Sequence, residues 1–256
     1  MSRPVERSRF PVVLLPGSVL PAAPAYGALL EALGERVDAV AKELEVYAGD
    51  ELPADYGLET EGEGILREAD ARGFDRFHLA GYSGGGAAAL AFAAAHSERL
   101  LSLALLEPAW AGNERTPEEE ALHARFRALE QLPEEERMAE FTRLQLAPGV
   151  EPPARPDGPP PPWLATRPAG IRAFLRAFDA ADLDLAALRG FRQPVLFVLG
   201  GLSNPDYFAR MADRLAGVFP DFTLETFPER HHFDPPHRVE PERLAELLLA
   251  FWERAD

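Results

Sequence analysis

A glycine-flanked serine constrains this chain more than any other feature. Gly81-Tyr82-Ser83-Gly84-Gly85 follows the apolar residues 77–80 (FHLA) and precedes the Ala-rich residues 84–96. An apolar run, a tight turn and a small-residue helix in that order predict a serine raised on a strand-to-helix corner. A serine there sits in strained, left-handed backbone, and the residues two before and two after it must be small. Gly81 and Gly85 meet that need, and Gly84 and Gly86 add room. The plainer alternative is a glycine-rich turn that cradles a phosphate.

The rest of the pattern supplies a setting for such a corner. Residues 10–15 (FPVVLL) read as a buried strand stopped by Pro16-Gly17. Residues 26–33 have helical period. Residues 37–46 are compatible with a strand, a helix, or one after the other. Residues 58–72 form an amphipathic helix ending at Gly73. Residues 100–106 are apolar except Ser102, as expected of a strand covered on both faces. Residues 194–199 (PVLFVL) and 222–226 are further strands. Residues 207–215 and 240–252 are helices. Strands alternating with helices predict an α/β fold with a mostly parallel sheet and helices on both faces.

The alternation breaks between residues 112 and 188. Thr116-Pro117-Glu118-Glu119-Glu120 and Pro133-Glu134-Glu135-Glu136 are helix starts, with proline and acids in the first turn. Residues 148–168 are too rich in proline for helix interior or central strand and read as a stiff surface loop. Residues 171–188 return to helical period. The expected organisation is a core of residues 1–111 and 189–256 with a helical insertion at 112–188.

Composition narrows the function. The net charge is −16 over 256 residues, which disfavours nucleic acid and anionic membrane surfaces as partners. There is no cysteine, so thiol catalysis and cysteine-held metals are excluded. The polar, basic start leads into an apolar stretch broken at once by Pro16 and Gly17, unlike a secretory signal, and no run spans a bilayer. The expectation is a cytoplasmic protein acting on a small molecule, as a monomer or homodimer, without cofactor.

Residues 12–18 (VVLLPGS), 78–86 (HLAGYSGGG), 103–109 (LALLEPA) and 232–242 (HFDPPHRVEPE) together resemble the α/β-hydrolase superfamily. The resemblance covers most of the chain. It implies the α/β-hydrolase fold, a helical cap at 112–188, the order serine, acid, histidine, and hydrolytic chemistry without a substrate.

Mapped onto this sequence, the nucleophile is Ser83. The histidine is His232, before Phe233 and with His237 in the second position; His231 is the alternative. His78 reads as structural, and His96 and His123 as solvated. A metal site built from the cluster His231, His232 and His237 with Asp234 is disfavoured by the two prolines between Asp234 and His237. The acid departs from the usual pattern, because Asn204 stands where an Asp is expected and cannot offset an imidazolium charge. Glu107, 24 residues after Ser83, is the favoured acid, since a charge in so apolar a setting is costly unless paired. Asp206 is the alternative. Gly84 and Ser18, or Val19 in its place, would supply the oxyanion-hole amides. Trp110, Trp163, Phe174 and Phe178 would line an apolar pocket under the cap.

The chemistry that follows is acyl transfer. His232 takes the Ser83 proton, Ser83 attacks a carbonyl, and water completes the cycle on a small, fairly apolar ester, thioester or related substrate. Two further readings stay open: a C–C bond hydrolase or lyase on the same scaffold, and a binding protein that has lost its acid.

Overall fold

Along each strand, side chains alternate between two apolar layers, and this alternation builds the molecule. Val13, Leu15, Leu79, Leu103, Leu105 and Phe197 face one layer, while Val12, Leu14, Ala80, Ala104, Leu196 and Val198 face the other. The computed structural model describes residues 9–49, 51–154 and 158–255. The basic start at residues 1–8 and residues 155–157 of the proline-dense stretch lie outside the described residues.

The elements follow as β1 (Phe10–Leu15), α1 (Ala22–Leu33), β2 (Val37–Ala41), α2 (Leu58–Ala71), β3 (Phe77–Tyr82), α3 (Gly84–Ala95) and β4 (Leu100–Leu106). Then come α4 (Pro117–Ala128), α5 (Glu134–Arg143), α6 (Arg167–Ala180) and α7 (Leu185–Gly190). The chain closes with β5 (Val195–Gly200), α8 (Arg210–Ala216), β6 (Phe222–Phe227), α9 (Pro236–Val239) and α10 (Pro241–Glu253). The six strands form one sheet in the order β2-β1-β3-β4-β5-β6, with every neighbouring pair parallel. Helices α2 and α3 cover one face, and α1 and α10 the other.

Helix α3 shows why small residues are used. Gly84 to Ala89 are all buried, and the helix lies on β3, β4 and β1. A Cβ on Gly86 would stand 2.8 Å from Pro108 Cα, so only glycine permits that approach.

The open reading at residues 37–46 is decided, and two further stretches resolve differently from their sequence pattern. Residues 37–46 become strand β2 followed by a 3-10 turn at Glu45–Tyr47. The helical run at 171–188 is two helices, because Asp184 turns back to accept the Ala187 N–H at 2.8 Å and starts α7. The helix read at 207–215 opens as a π-helical turn, Pro205–Ala209, capped by Asn204. At Thr116 the reciprocal cap with Glu119 forms as the sequence predicts. Among the described residues no helix is long and apolar enough to cross a membrane.

Candidate active site

The sheet's three central strands β1, β3 and β4 end side by side, and their ends carry the polar residues of interest. Ser83 follows β3 directly, with φ 52° and ψ −118°. Its N–H donates to Leu106 O at 3.1 Å, and its carbonyl accepts from Ala87 N and Ala109 N. These bonds hold the corner in its unfavourable conformation. Sterics demand glycines around it: a Cβ on Gly81 would lie 2.4 Å from Gly85 O, and one on Gly85 would lie 2.4 Å from Pro16 O.

Glu107 follows β4 and has φ 45°. Among the described residues, Ser83 and Glu107 are the two non-glycine residues with positive φ. Such strain of about 1–3 kcal/mol persists only where surrounding bonds over-determine it, and it concentrates at functional sites. Both side chains are buried, and so is His232 from the loop between β6 and α9.

These three side chains form one line. His232 Nε2 lies 3.0 Å from Ser83 Oγ, and His232 Nδ1 lies 3.0 Å from Glu107 Oε2. A carboxylate accepts and does not donate, so Nδ1 carries the proton and Nε2 presents its lone pair to the serine hydroxyl. The second carboxylate oxygen accepts the Gly200 N–H at 2.8 Å. The imidazole is fixed from other sides as well. Phe208 stacks on it at 4.5 Å, and the Tyr82 hydroxyl donates to the His232 carbonyl.

The other candidates are elsewhere. Asp206 is exposed and pairs with Arg210, so it is no partner for the histidine. Asn204 caps its own turn and donates to Leu144 O at 2.7 Å. His231 is half-buried and accepts from its neighbour's Phe233 N–H. Burial, with smaller contributions from Arg238 and His232, lowers the pKa of His237 to about 3; its ring packs between Tyr26 and Tyr82. His78 is buried in β3 against Ser102 and Trp252. Among the described residues no group of three His, Asp or Glu side chains is placed to hold a metal ion.

Beside Ser83 lies a narrow cavity of about 30 Å³. Ser18 and Gly84 stand on its floor, and Phe174 and Phe178 line it from α6. The Ser18 carbonyl accepts from the Tyr47 hydroxyl at 2.8 Å, which fixes the loop after β1. Trp110 and Trp163 depart from the expectation and stand off this wall. Trp110 is one layer back, stacked on Phe178, with its indole N–H given to Asn113 Oδ1. Trp163 lies in the turn before α6, beside Arg167.

His123 is the residue that the sequence misplaced. Read as solvated, it instead faces the cavity from α4. Burial, assisted by Arg115, lowers its pKa to about 4. Gln145 and Tyr207 also line the cavity and carried no sequence signal. Only the spacing of Leu122 and Phe126 hinted that this face of α4 turns inward.

The model of the alpha/beta hydrolase family matches residues 12–247. The chain belongs to the alpha/beta hydrolase family. The parallel sheet with helices on both faces is this chain's version of that architecture. Solved structures agree on the fold. A thermophilic esterase from Thermogutta terrifontis superposes with a TM-score of 0.67 at 18% identity, covering 97% of this chain and 91% of that one. A naproxen esterase (carboxylesterase NP) from Bacillus subtilis gives 0.64 at 17% identity, covering 96% and 84%. A meta-cleavage product hydrolase from Pseudomonas fluorescens IP01 gives 0.64 at 17% identity, covering 96% and 92%. No curated protein sequence matches the chain. Membership in this alpha/beta hydrolase family supports hydrolytic activity.

Proposed function

We propose that the protein is a serine hydrolase that cleaves esters of small, fairly apolar acids through an acyl-enzyme. The observation that carries this reading is the unbroken line Ser83–His232–Glu107, with both contacts at 3.0 Å. His232 takes the Ser83 proton as the hydroxyl oxygen attacks the ester carbonyl. Glu107 holds the imidazole in the required tautomer and offsets its charge once protonated. The Gly84 and Ser18 amides receive the oxyanion, each worth about 3–4 kcal/mol in such sites. His232 then protonates the departing alcohol. Water, deprotonated by the same imidazole, releases the acid and restores Ser83.

Residues 112–188 act in this reading as a cap. The cavity lining supports it, because α4, α5 and α6 contribute residues beside Ser83. Glu107, not Asn204, faces the imidazole, which favours catalysis over a binding protein without an acid. The buried wall of aromatic and aliphatic side chains favours an apolar acyl group.

A fluorophosphonate probe tests the proposal. It should label the folded wild-type protein at Ser83, and Ser83→Ala should lose both labelling and hydrolysis of p-nitrophenyl butyrate. Absence of labelling in folded wild-type protein would remove the reading. Faster turnover of a vinylogous diketone than of any ester would move it to C–C bond cleavage.

A further inference from the structure

The narrow cavity at Ser83 has a larger neighbour. A second cavity, of about 80 Å³ against about 30 Å³ for the first, is bounded by residues of α5 and α6. The surfaces of both are almost wholly apolar.

Three side chains belong to both cavities: Phe141 from α5, and Ile171 and Leu175 from α6. A side chain with one surface on each space stands between them. Ile171 and Leu175 are one helical turn apart, on the face of α6 that also presents Phe174 and Phe178 to the first cavity. Phe141 is held edge-on by Phe126 at 6.1 Å and by Phe233, the neighbour of His232, at 6.2 Å. The partition is therefore a packed one, made of one ring and two branched aliphatic side chains.

The space behind the partition leads away from the serine. It continues along Leu129, Met138 and Pro168 to the exposed Glu130 and the half-buried Arg172. An apolar chain gains about fourfold in binding for each methylene that leaves water. That gain ends where the chain meets close-packed side chains, which yield only at a cost. Here the obstacle is one side chain thick, with apolar room already present beyond it.

We infer that Phe141, Ile171 and Leu175 set the length of substrate the enzyme accepts: an ester whose apolar chain, on the acyl or the alcohol side, ends at this partition. This rests on the serine-hydrolase reading above and adds to it a size limit and the residues that impose it.

Two ester series test the inference. p-Nitrophenyl esters of straight-chain acids vary the acyl side, and butyrate esters of straight-chain alcohols vary the other. Wild-type kcat/KM should fall at least about tenfold from a four-carbon to an eight-carbon chain in the series whose chain enters the cavity. In that series Leu175→Ala, at a half-buried position, should raise the ratio of eight-carbon to four-carbon ester by at least about tenfold, the scale of two further methylenes leaving water. Ile171→Ala should act in the same direction. Met138→Ala enlarges the second cavity without opening the partition and should keep the wild-type ratio. Circular dichroism melts and fluorophosphonate labelling at Ser83 identify the variants that are folded with a reactive serine.

A wild type with no fall in either series overturns the inference and leaves the serine-hydrolase reading standing. So does a ratio unchanged in both series by folded, labelled Leu175→Ala and Ile171→Ala. A rise in Met138→Ala equal to that in Leu175→Ala would assign the limit to the second cavity and overturn the role of the partition. Hydrolysis of no ester by the wild type, with no label at Ser83, removes the underlying reading and this one with it.

Discussion

Glu107 divides its two carboxylate oxygens between His232 and Gly200: Oε2 meets His232 Nδ1 at 3.0 Å, and Oε1 accepts the Gly200 N–H at 2.8 Å. The second bond prevents the carboxylate from rotating away, and it ties the end of β4 to the end of β5. A buried carboxylate held this way has both oxygens satisfied, the condition under which such a charge is tolerated.

Replacing that carboxylate tests its role. Glu107→Gln keeps the shape but can present an N–H to Nδ1, which then favours the wrong imidazole tautomer. The expected outcome is a loss of kcat on the order of 10³–10⁴-fold with a small change in KM. Asp206→Asn should leave both constants within about twofold, because an exposed pair such as Asp206–Arg210 contributes little. Steady-state kinetics on p-nitrophenyl butyrate separate the two. A large effect at Asp206 and none at Glu107 would move the acid to the later loop.

Tyr47 gives a prediction about the floor of the site. Its hydroxyl donates to the Ser18 carbonyl at 2.8 Å, and its ring fits against Gly170, where a Cβ would lie 2.1 Å from Cε1. The Arg167 guanidinium lies 3.8 Å above the ring. Tyr47→Phe keeps the ring in place and removes the bond that orients the loop after β1, together with a longer 3.4 Å contact to the Arg167 carbonyl. The expected result is about a tenfold fall in kcat/KM, carried mainly by kcat, as one net hydrogen bond of about 1.4 kcal/mol would give. The melting temperature should move by no more than about 2–4 °C. A pure KM effect would place Tyr47 in binding rather than in positioning the Ser18 amide.

The legible and illegible parts of this chain divide along physical lines. The parallel sheet, the corner at Ser83 and the helix start at Thr116 follow from local rules: apolar runs, small residues at a tight turn, and reciprocal capping. That Glu107 meets a partner, His232, follows from a lone charge in LLEPA. His123 was not legible, because α4 is so acidic that its inward face shows only at Leu122 and Phe126. Trp110 was misread because an aromatic side chain beside a cavity and one a layer behind it have the same sequence signature. The break at Asp184 was hidden, since an aspartate in a helical run reads as surface until its carboxylate is seen to cap.

The last prediction concerns acid stability and rests on His237. The ring is 1% exposed, packs between Tyr26 and Tyr82, and neither nitrogen has a hydrogen-bond partner. Burial first, then the charge of Arg238 and the neighbouring His232, lowers its pKa from 6.5 to about 3. Above pH 6.5 the group is neutral in both folded and unfolded chains, so it imposes no pH dependence. As the pH falls from 6.5 towards 3, the unfolded chain takes up a proton that the folded chain refuses, and stability drops. At pH 5 the loss from this one group is about 2 kcal/mol, since each unit of difference is worth about 1.36 kcal/mol. His237→Phe removes the titrating group and keeps an aromatic ring between the two tyrosines. Urea denaturation at pH 7.5 and pH 5.0 should therefore show the variant gaining about 2 kcal/mol on the wild type between the two conditions, whatever its stability at pH 7.5. A parallel decline of both proteins would mean that His237 accepts its proton in the folded chain, and that its pocket admits water on acidification.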